Sequence, residues 1–131
     1  SLTLSTHGSG HGDGAIRVWD VAAGRCDRVL EGHDDQVNVL AVCGHRLISG
    51  STDNTVRVWL MGAAVAWPCE RALVGHEGSI FSLAVWAGRV ISGSQDDTIR
   101  VWDAVTGRHL ATLAEHTNSV TALAVVDRAW A

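Results

Sequence analysis

HDDQVNVLAVCGHRLISGSTDNTVRVW, residues 33–59, returns 43 positions later as HEGSIFSLAVWAGRVISGSQDDTIRVW, residues 76–102. Of the 27 paired positions 14 are identical, and no gap is needed. A fixed period of roughly 40 residues marks a repeat array, in which each unit buries its apolar face on the next. The tail of a third copy stands upstream: Ala15, Ile16, Arg17, Val18 and Trp19 match Thr55 to Trp59. The head of a fourth stands downstream: His116, Val120, Leu123, Ala124 and Val125.

Within each copy the pattern is that of β-strands. Val37, Val39, Leu40, Ala41 and Val42 form an apolar run too continuous for a sheet wetted on one side, so this strand is expected to be covered on both faces. Gly44 turns the chain, Arg46 to Ser51 is the next strand, Thr52 to Asn54 a tight turn, and Thr55 to Trp59 the third strand. In the upstream copy Ala15 to Trp19 is a strand, Val21 to Gly24 a turn, and Arg25 to Leu30 an outer strand. β-branched residues dominate and glycine interrupts often, so no helix is expected. Residues 1–14 are Gly- and Ser-rich and carry no clear pattern. Aligned backwards from Trp19 without a gap, Ser9 takes the place of Ser49 and Asp13 that of Asp53. The segment GSGHGDG there lacks the order and the following Lys of a phosphate-binding loop.

The copies diverge after Trp59. Trp19 to His33 and Trp102 to His116 span 14 residues, whereas Trp59 to His76 spans 17. The excess falls in LMGAAVAWPCE, where Leu60 replaces the Asp that follows Trp19 and Trp102. Pro68 restricts ladder pairing, so the outer strand is expected to begin after it. Met61, Val65 and Trp67 make the loop apolar. It reads either as a loop folded back onto the sheet edge or as a patch for a partner.

Composition fits a packed β protein, with 47% hydrophobic residues, six Trp, fourteen Gly and one Pro. The net charge is −4, and the ten basic residues are all Arg. An acidic balance without basic runs argues against nucleic acid as a partner. No apolar stretch reaches the ~18 residues of a membrane span, and no membrane association is expected. Cys26, Cys43 and Cys69 are odd in number and show no metal-ligand spacing, which suits a reduced compartment, cytoplasmic or nuclear. His7, His11, His45 and His109 do not repeat and read as surface residues. No cofactor and no metal are expected.

GH, a strand pair, a turn Asp and VWD recur in fixed order, and in this the chain resembles the WD-repeat family of β-propellers. The resemblance covers nearly all of the chain. It implies an all-β fold: a partial propeller of four-stranded antiparallel blades, two full and two partial. Residues 1–31 would be a partial blade, 32–75 and 76–115 full blades, and 116–131 the start of the next. Since propellers hold about 4–8 blades of roughly 40–45 residues, the chain is expected to be a fragment of a longer array.

His33, Ser49, Asp53 and Trp59 recur as His76, Ser92, Asp96 and Trp102 with the same internal spacings. Ser, His and Asp together suggest a hydrolase triad. A catalytic set occurs once, however, and neither Ser stands in a G-x-S-x-G elbow. In the family these residue types form a buried hydrogen-bond chain from Asp through His and Ser to the Trp indole. The resemblance passes that structural role to these eight residues, and no enzyme activity is expected.

The resemblance also implies a rigid platform for protein partners. The family's contact positions map to Gln36, Asn38 and Thr52; Ser79, Phe81 and Gln95; Ser119 and Thr121; and Gly12. Phe81 is the single Phe of the chain and stands where the other copies hold Asn38 and Thr121, so it reads as an anchor for a partner or as a residue half-covered by the next blade. None of these positions is Arg. Arg17, Arg57 and Arg100, two before each Trp, read as stems that cover the strand face. The short His-to-Ser spacing is similar to repeats of F-box and related ubiquitin-ligase receptors. The function expected is therefore a protein-interaction scaffold, with the substrate-recognition part of a ubiquitin ligase as the alternative.

Overall fold

The computed structural model describes residues 2–5, 14–62, 67–114 and 118–125. Among them eleven strands form and no helix: β1 (Leu2–Ser5), β2 (Ile16–Asp20), β3 (Arg25–Leu30), β4 (Val37–Cys43), β5 (Arg46–Ser51), β6 (Val56–Leu60), β7 (Cys69–Leu73), β8 (Ile80–Trp86), β9 (Arg89–Ser94), β10 (Ile99–Asp103) and β11 (His109–Leu113). Each sheet is an antiparallel meander. The first has the order β1-β2-β3, the second β4-β5-β6-β7 and the third β8-β9-β10-β11.

The two complete blades share one register. Ser49 faces Arg57 and Leu47 faces Trp59 in the second sheet; Ser92 faces Arg100 and Val90 faces Trp102 in the third. A bulge falls beside each strand Trp, opposite Cys26, Cys69 and His109. Bulges re-aim a side chain and increase local twist. Turn chemistry accounts for the odd loop. Asp20 and Asp103 accept backbone N–H groups two or three residues on, at 2.8–3.1 Å. Leu60 cannot, and the chain instead runs on to Pro68, whose carbonyl accepts from Leu60 N at 3.0 Å. β7 begins at Cys69, directly after Pro68.

The sheets stack face to face through two apolar seams. One, between the first and second sheets, holds Ile16, Val18, Leu30, Val37, Leu47, Trp59 and Trp67. The other, between the second and third, holds Ile48, Val56, Val58, Leu73, Ile80, Val90 and Trp102. Each blade's Trp thus points back towards the preceding blade. β4 serves both seams, with Leu40 on one side and Val39, Ala41 and Cys43 on the other. This alternation explains its unbroken apolar run, although most of its residues end half-buried and Val42 is exposed.

The outward face of the third sheet repeats the pattern with less cover among the described residues. Leu73 is 3% exposed, and its counterpart Leu113 is 51% exposed. The next unit begins on this face: Val120 is buried and its N–H donates to the Ser94 carbonyl at 2.9 Å. Residues 118–125 carry no strand. At the other end Trp19 is 36% exposed, against 2% for Trp59. No helix among the described residues is long and apolar enough to cross a membrane.

Candidate functional site

The duplicated polar set meets inside each complete blade. His33 precedes β4, Ser49 lies on β5, Asp53 in the β5–β6 turn and Trp59 on β6. His33 Nδ1 stands 2.9 Å from Asp53 Oδ2 and its Nε2 2.7 Å from Ser49 Oγ. The Trp59 indole N–H donates to the same Ser49 Oγ at 2.9 Å. His76, Asp96, Ser92 and Trp102 repeat these distances at 2.9, 2.7 and 2.9 Å.

The donor inventory fixes the direction of the chain. A carboxylate only accepts, so His Nδ1 carries the hydrogen towards Asp. Ser Oγ already accepts the indole N–H, so its own hydrogen goes to His Nε2. Every group is satisfied with a neutral imidazole. Burial holds both imidazoles below their ordinary value, against the opposing pull of the hydrogen bond and charge of the neighbouring Asp. Burial alone would raise Asp53 and Asp96. It is outweighed by donors from Thr55 and Thr98, the histidines, and the backbone of Asp34 and Glu77, which hold both carboxyls below the usual range. Both serines are fully buried, so neither Oγ reaches a substrate. This arrangement can tie strands together; it cannot act as a nucleophile.

In the first sheet the ungapped alignment misassigns one partner. Trp19 Nε1 donates at 2.9 Å to Ser5 Oγ, 14 residues back, where the other blades use 10. Ser5 faces Arg17 as Ser49 faces Arg57, so Ser5 takes the place expected for Ser9. The cause is a longer connection between β1 and β2. Ser9, Gly12 and Asp13 lie outside the described residues, as do His116 and the GSGHGDG segment up to Gly14. The alternation of Leu2 and Leu4 with Thr3 and Ser5 was the available signal for β1.

Two contributors recur at fixed spacing but escape a search for the four residue types. Thr55 and Thr98 hydroxyls donate to Asp53 and Asp96 and lie 3.3 and 3.2 Å from the His Nδ1 atoms. Ser51 and Ser94 are fully buried and donate to the Gln36 and Gly78 carbonyls, just ahead of β4 and β8.

The positions mapped to a partner surface lie at one end of the sheets. Thr52 N donates to Gln36 O and Gln95 N to Ser79 O, each at 2.9 Å. Asn38 Nδ2 donates at 3.0 Å to both Thr52 Oγ1 and the Ile80 carbonyl, bridging two blades. Gln95, Ser119 and Thr121 are exposed, Gln36, Thr52 and Phe81 half-buried, and Ser79 buried. Arg57 and Arg100 lie along Gly32 and Gly75, where a Cβ would meet their guanidinium groups and the Trp rings. The Nε atoms of both arginines are buried without a partner. His45 and His109 are exposed, His109 packing edge-on to Trp102 at 5.1 Å. In the inserted loop Trp67 is buried and Met61 packs on the first seam, while Val65 lies outside the described residues.

The WD domain, G-beta repeat family matches residues 24–59 and 67–103, more than half of the chain. The chain belongs to this family, and its sheets are β-propeller blades. Mitochondrial division protein 1 of Neurospora crassa is 42% identical over 52 residues, 40% of this chain and 8% of that protein. The candidate E3 ubiquitin-protein ligase LIN-1 of Lotus japonicus is 52% identical over 54 residues, 39% of this chain and 4% of that protein. The chain therefore spans under a tenth of these curated relatives. The crystal structure of the computationally designed Ika4 protein superposes with a TM-score of 0.79 at 36% identity, over 96% of this chain and 74% of that one.

Proposed function

We propose that this chain is a stretch of a longer propeller that serves as a protein-interaction scaffold. Residues 1–31 would belong to one blade, 32–75 and 76–115 to two more, and 116–131 to the next. The polar relay holds each blade's register, and the partner surface is built from Gln36, Asn38, Thr52, Ser79, Phe81, Gln95, Ser119 and Thr121. The observation that carries this reading is the gathering of these positions at one end of neighbouring sheets, with Gln95, Ser119 and Thr121 open to solvent and Phe81 among them. A large aromatic at such a place supplies contact area at little entropic cost. Asn38 and Ser79 support the surface more than they present themselves, since one is spent on Ile80 and the other is buried.

The likeness to LIN-1 is confined to 54 residues, little more than one repeat, and similar likeness extends to a protein of another kind. It favours the repeat rather than a ligase. The test is a quantitative affinity purification of the full-length protein from its own cells, comparing wild type with Phe81→Ala and Gln95→Ala. Loss of a defined subset of associated proteins supports the surface. An unchanged set in both variants removes it.

A further inference from the structure

The outer strands of the first two sheets carry an arginine at the same place. Arg28 and Arg71 each stand two residues before a buried leucine, Leu30 or Leu73. At the seam between the second and third sheets the arginine closes the rim. Arg71 Nε donates to the Val105 carbonyl at 2.8 Å, and its side chain lies against Gly107. At the preceding seam the inserted segment changes the outcome. Arg28 lies over the Trp67 ring at 4.5 Å, and a cleft of about 340 Å³ separates β3 from residues 67–69.

Four consecutive residues, 28–31, line this cleft. Neighbouring side chains of a strand point to opposite faces, so the unbroken run of Arg28, Val29 and Leu30, with Glu31 just beyond β3, means that the strand borders the cleft along its edge. β3 pairs with β2 on one side, and among the described residues no strand covers the other. Such an edge is a template for a further strand. The lining is apolar at Trp59, Trp67 and Pro68, with the Cys69 thiol within it and the exposed carboxylate of Glu31 at its end.

We propose that the cleft and the open edge of β3 together take an extended peptide from a partner protein. The peptide adds as an outer strand to the first sheet. It seats one large apolar side chain against Trp67 and Pro68 and sets an adjacent Lys or Arg towards Glu31. Strand addition supplies affinity through main-chain hydrogen bonds, and a pocket for one side chain supplies selectivity. Arg28, the cation of the lining, is paired with Asp27 at 2.9 Å, which leaves the exposed Glu31 as the charge that favours a basic occupant. The site lies on the outer strands, on a different face from Phe81 and Gln95, and does not depend on the surface proposed above.

The test pans random dodecapeptides displayed on phage against the folded protein. Enriched peptides should share an apolar–basic step, and Glu31→Arg, an exposed change that leaves the core intact, should weaken them about tenfold. They should also slow alkylation of Cys69 by N-ethylmaleimide while leaving Cys43, on the inner strand β4, unaffected. Phe81→Ala should leave their binding unchanged. Absence of enrichment over a parallel panning on Glu31→Arg, or bound peptides that leave the Cys69 rate unaltered, overturns the proposal.

Discussion

Ile80, at the start of the third sheet, closes over Gly50 of the second so tightly that a methyl group at Gly50 would collide with its branch and with Val39. Val120 stands over Gly93 in the same way. The recurrent Ser-Gly-Ser of β5 and β9 thus has a packing cause: the inner strand of the next blade lies directly on the glycine. Gly50→Ala should destabilise the chain by about 1–3 kcal/mol, the ordinary range for overpacking. Ile80→Ala should also destabilise it, by leaving a cavity. Because one side chain vacates the space the other needs, the double variant should lose less than the two singles together. Urea unfolding of the four proteins measures this. Strict additivity would show that the two residues do not meet.

The relay separates register from burial. Trp102→Ala removes ~150–250 Å² of buried surface, worth about 4–6 kcal/mol. This is comparable to the whole stability of many domains, about 5–15 kcal/mol. Ser92→Ala removes a small group but strands the indole N–H and the His76 nitrogen, each costing roughly 1–3 kcal/mol. We expect Trp102→Ala and His76→Ala to unfold the array and Ser92→Ala to lower the urea midpoint with the fold retained. Circular dichroism and denaturant titration check this. A folded Trp102→Ala protein lacking one defined activity would overturn the structural reading.

Legibility in the sequence follows the spacing of the parts. The sheets, the tetrads of the two full copies and the start of β7 were readable because an ungapped repeat fixes them all at once. β1 was not, because the first β1–β2 connection is longer and a gapless alignment slides past Ser5 to Ser9. The greater exposure of Trp19 and Leu113 than of Trp59 and Leu73 follows from the array itself: a unit buries its apolar face on its neighbour, so a face with an incomplete neighbour stays under-covered. Asn38 was read as a contact residue; that its amide also spans two blades depends on the Ile80 carbonyl of a different repeat. The Arg28–Trp67 contact depends likewise on two segments brought together only by stacking.

Acid should destabilise the chain in two steps with the same sign. His33 and His76 are held below their ordinary value of 6.5, so the unfolded chain binds protons more readily. Stability is full above pH 6.5 and falls as pH drops below it. Asp53 and Asp96 are held below 3.8, so their contribution is present above that value and is lost on further acidification. A second proton on His would also turn Nε2 into a donor facing the Ser hydroxyl, which already accepts from Trp. Melting temperature measured from pH 8 to pH 4 should decline from about pH 6.5 downwards. The variant His33→Gln/His76→Gln, if folded, should flatten that part of the curve. A melting temperature that rises on acidification through this range refutes the neutral-imidazole assignment.

The β8–β9 hairpin turns through Ala87 and Gly88, both left-handed, with φ of 49° and 74°. The first of these carries a Cβ. For an L-residue other than Gly, Asn or Asp that conformation costs roughly 1–2 kcal/mol, and two-residue hairpins prefer Asn-Gly there. The equivalent position in the preceding blade is Gly44, at φ 60°, so there the left-handed residue carries no Cβ. Ala87 is exposed, and its replacement disturbs no seam. Ala87→Asn and Ala87→Gly should therefore each stabilise the chain by about 0.5–1 kcal/mol, with Gly losing part of its gain to the freedom of the unfolded chain. The opposite change in the preceding turn, Gly44→Ala, should cost a similar amount. Denaturation midpoints of the three variants decide the matter: a destabilised Ala87→Asn protein would mean that the turn does not adopt this geometry in solution.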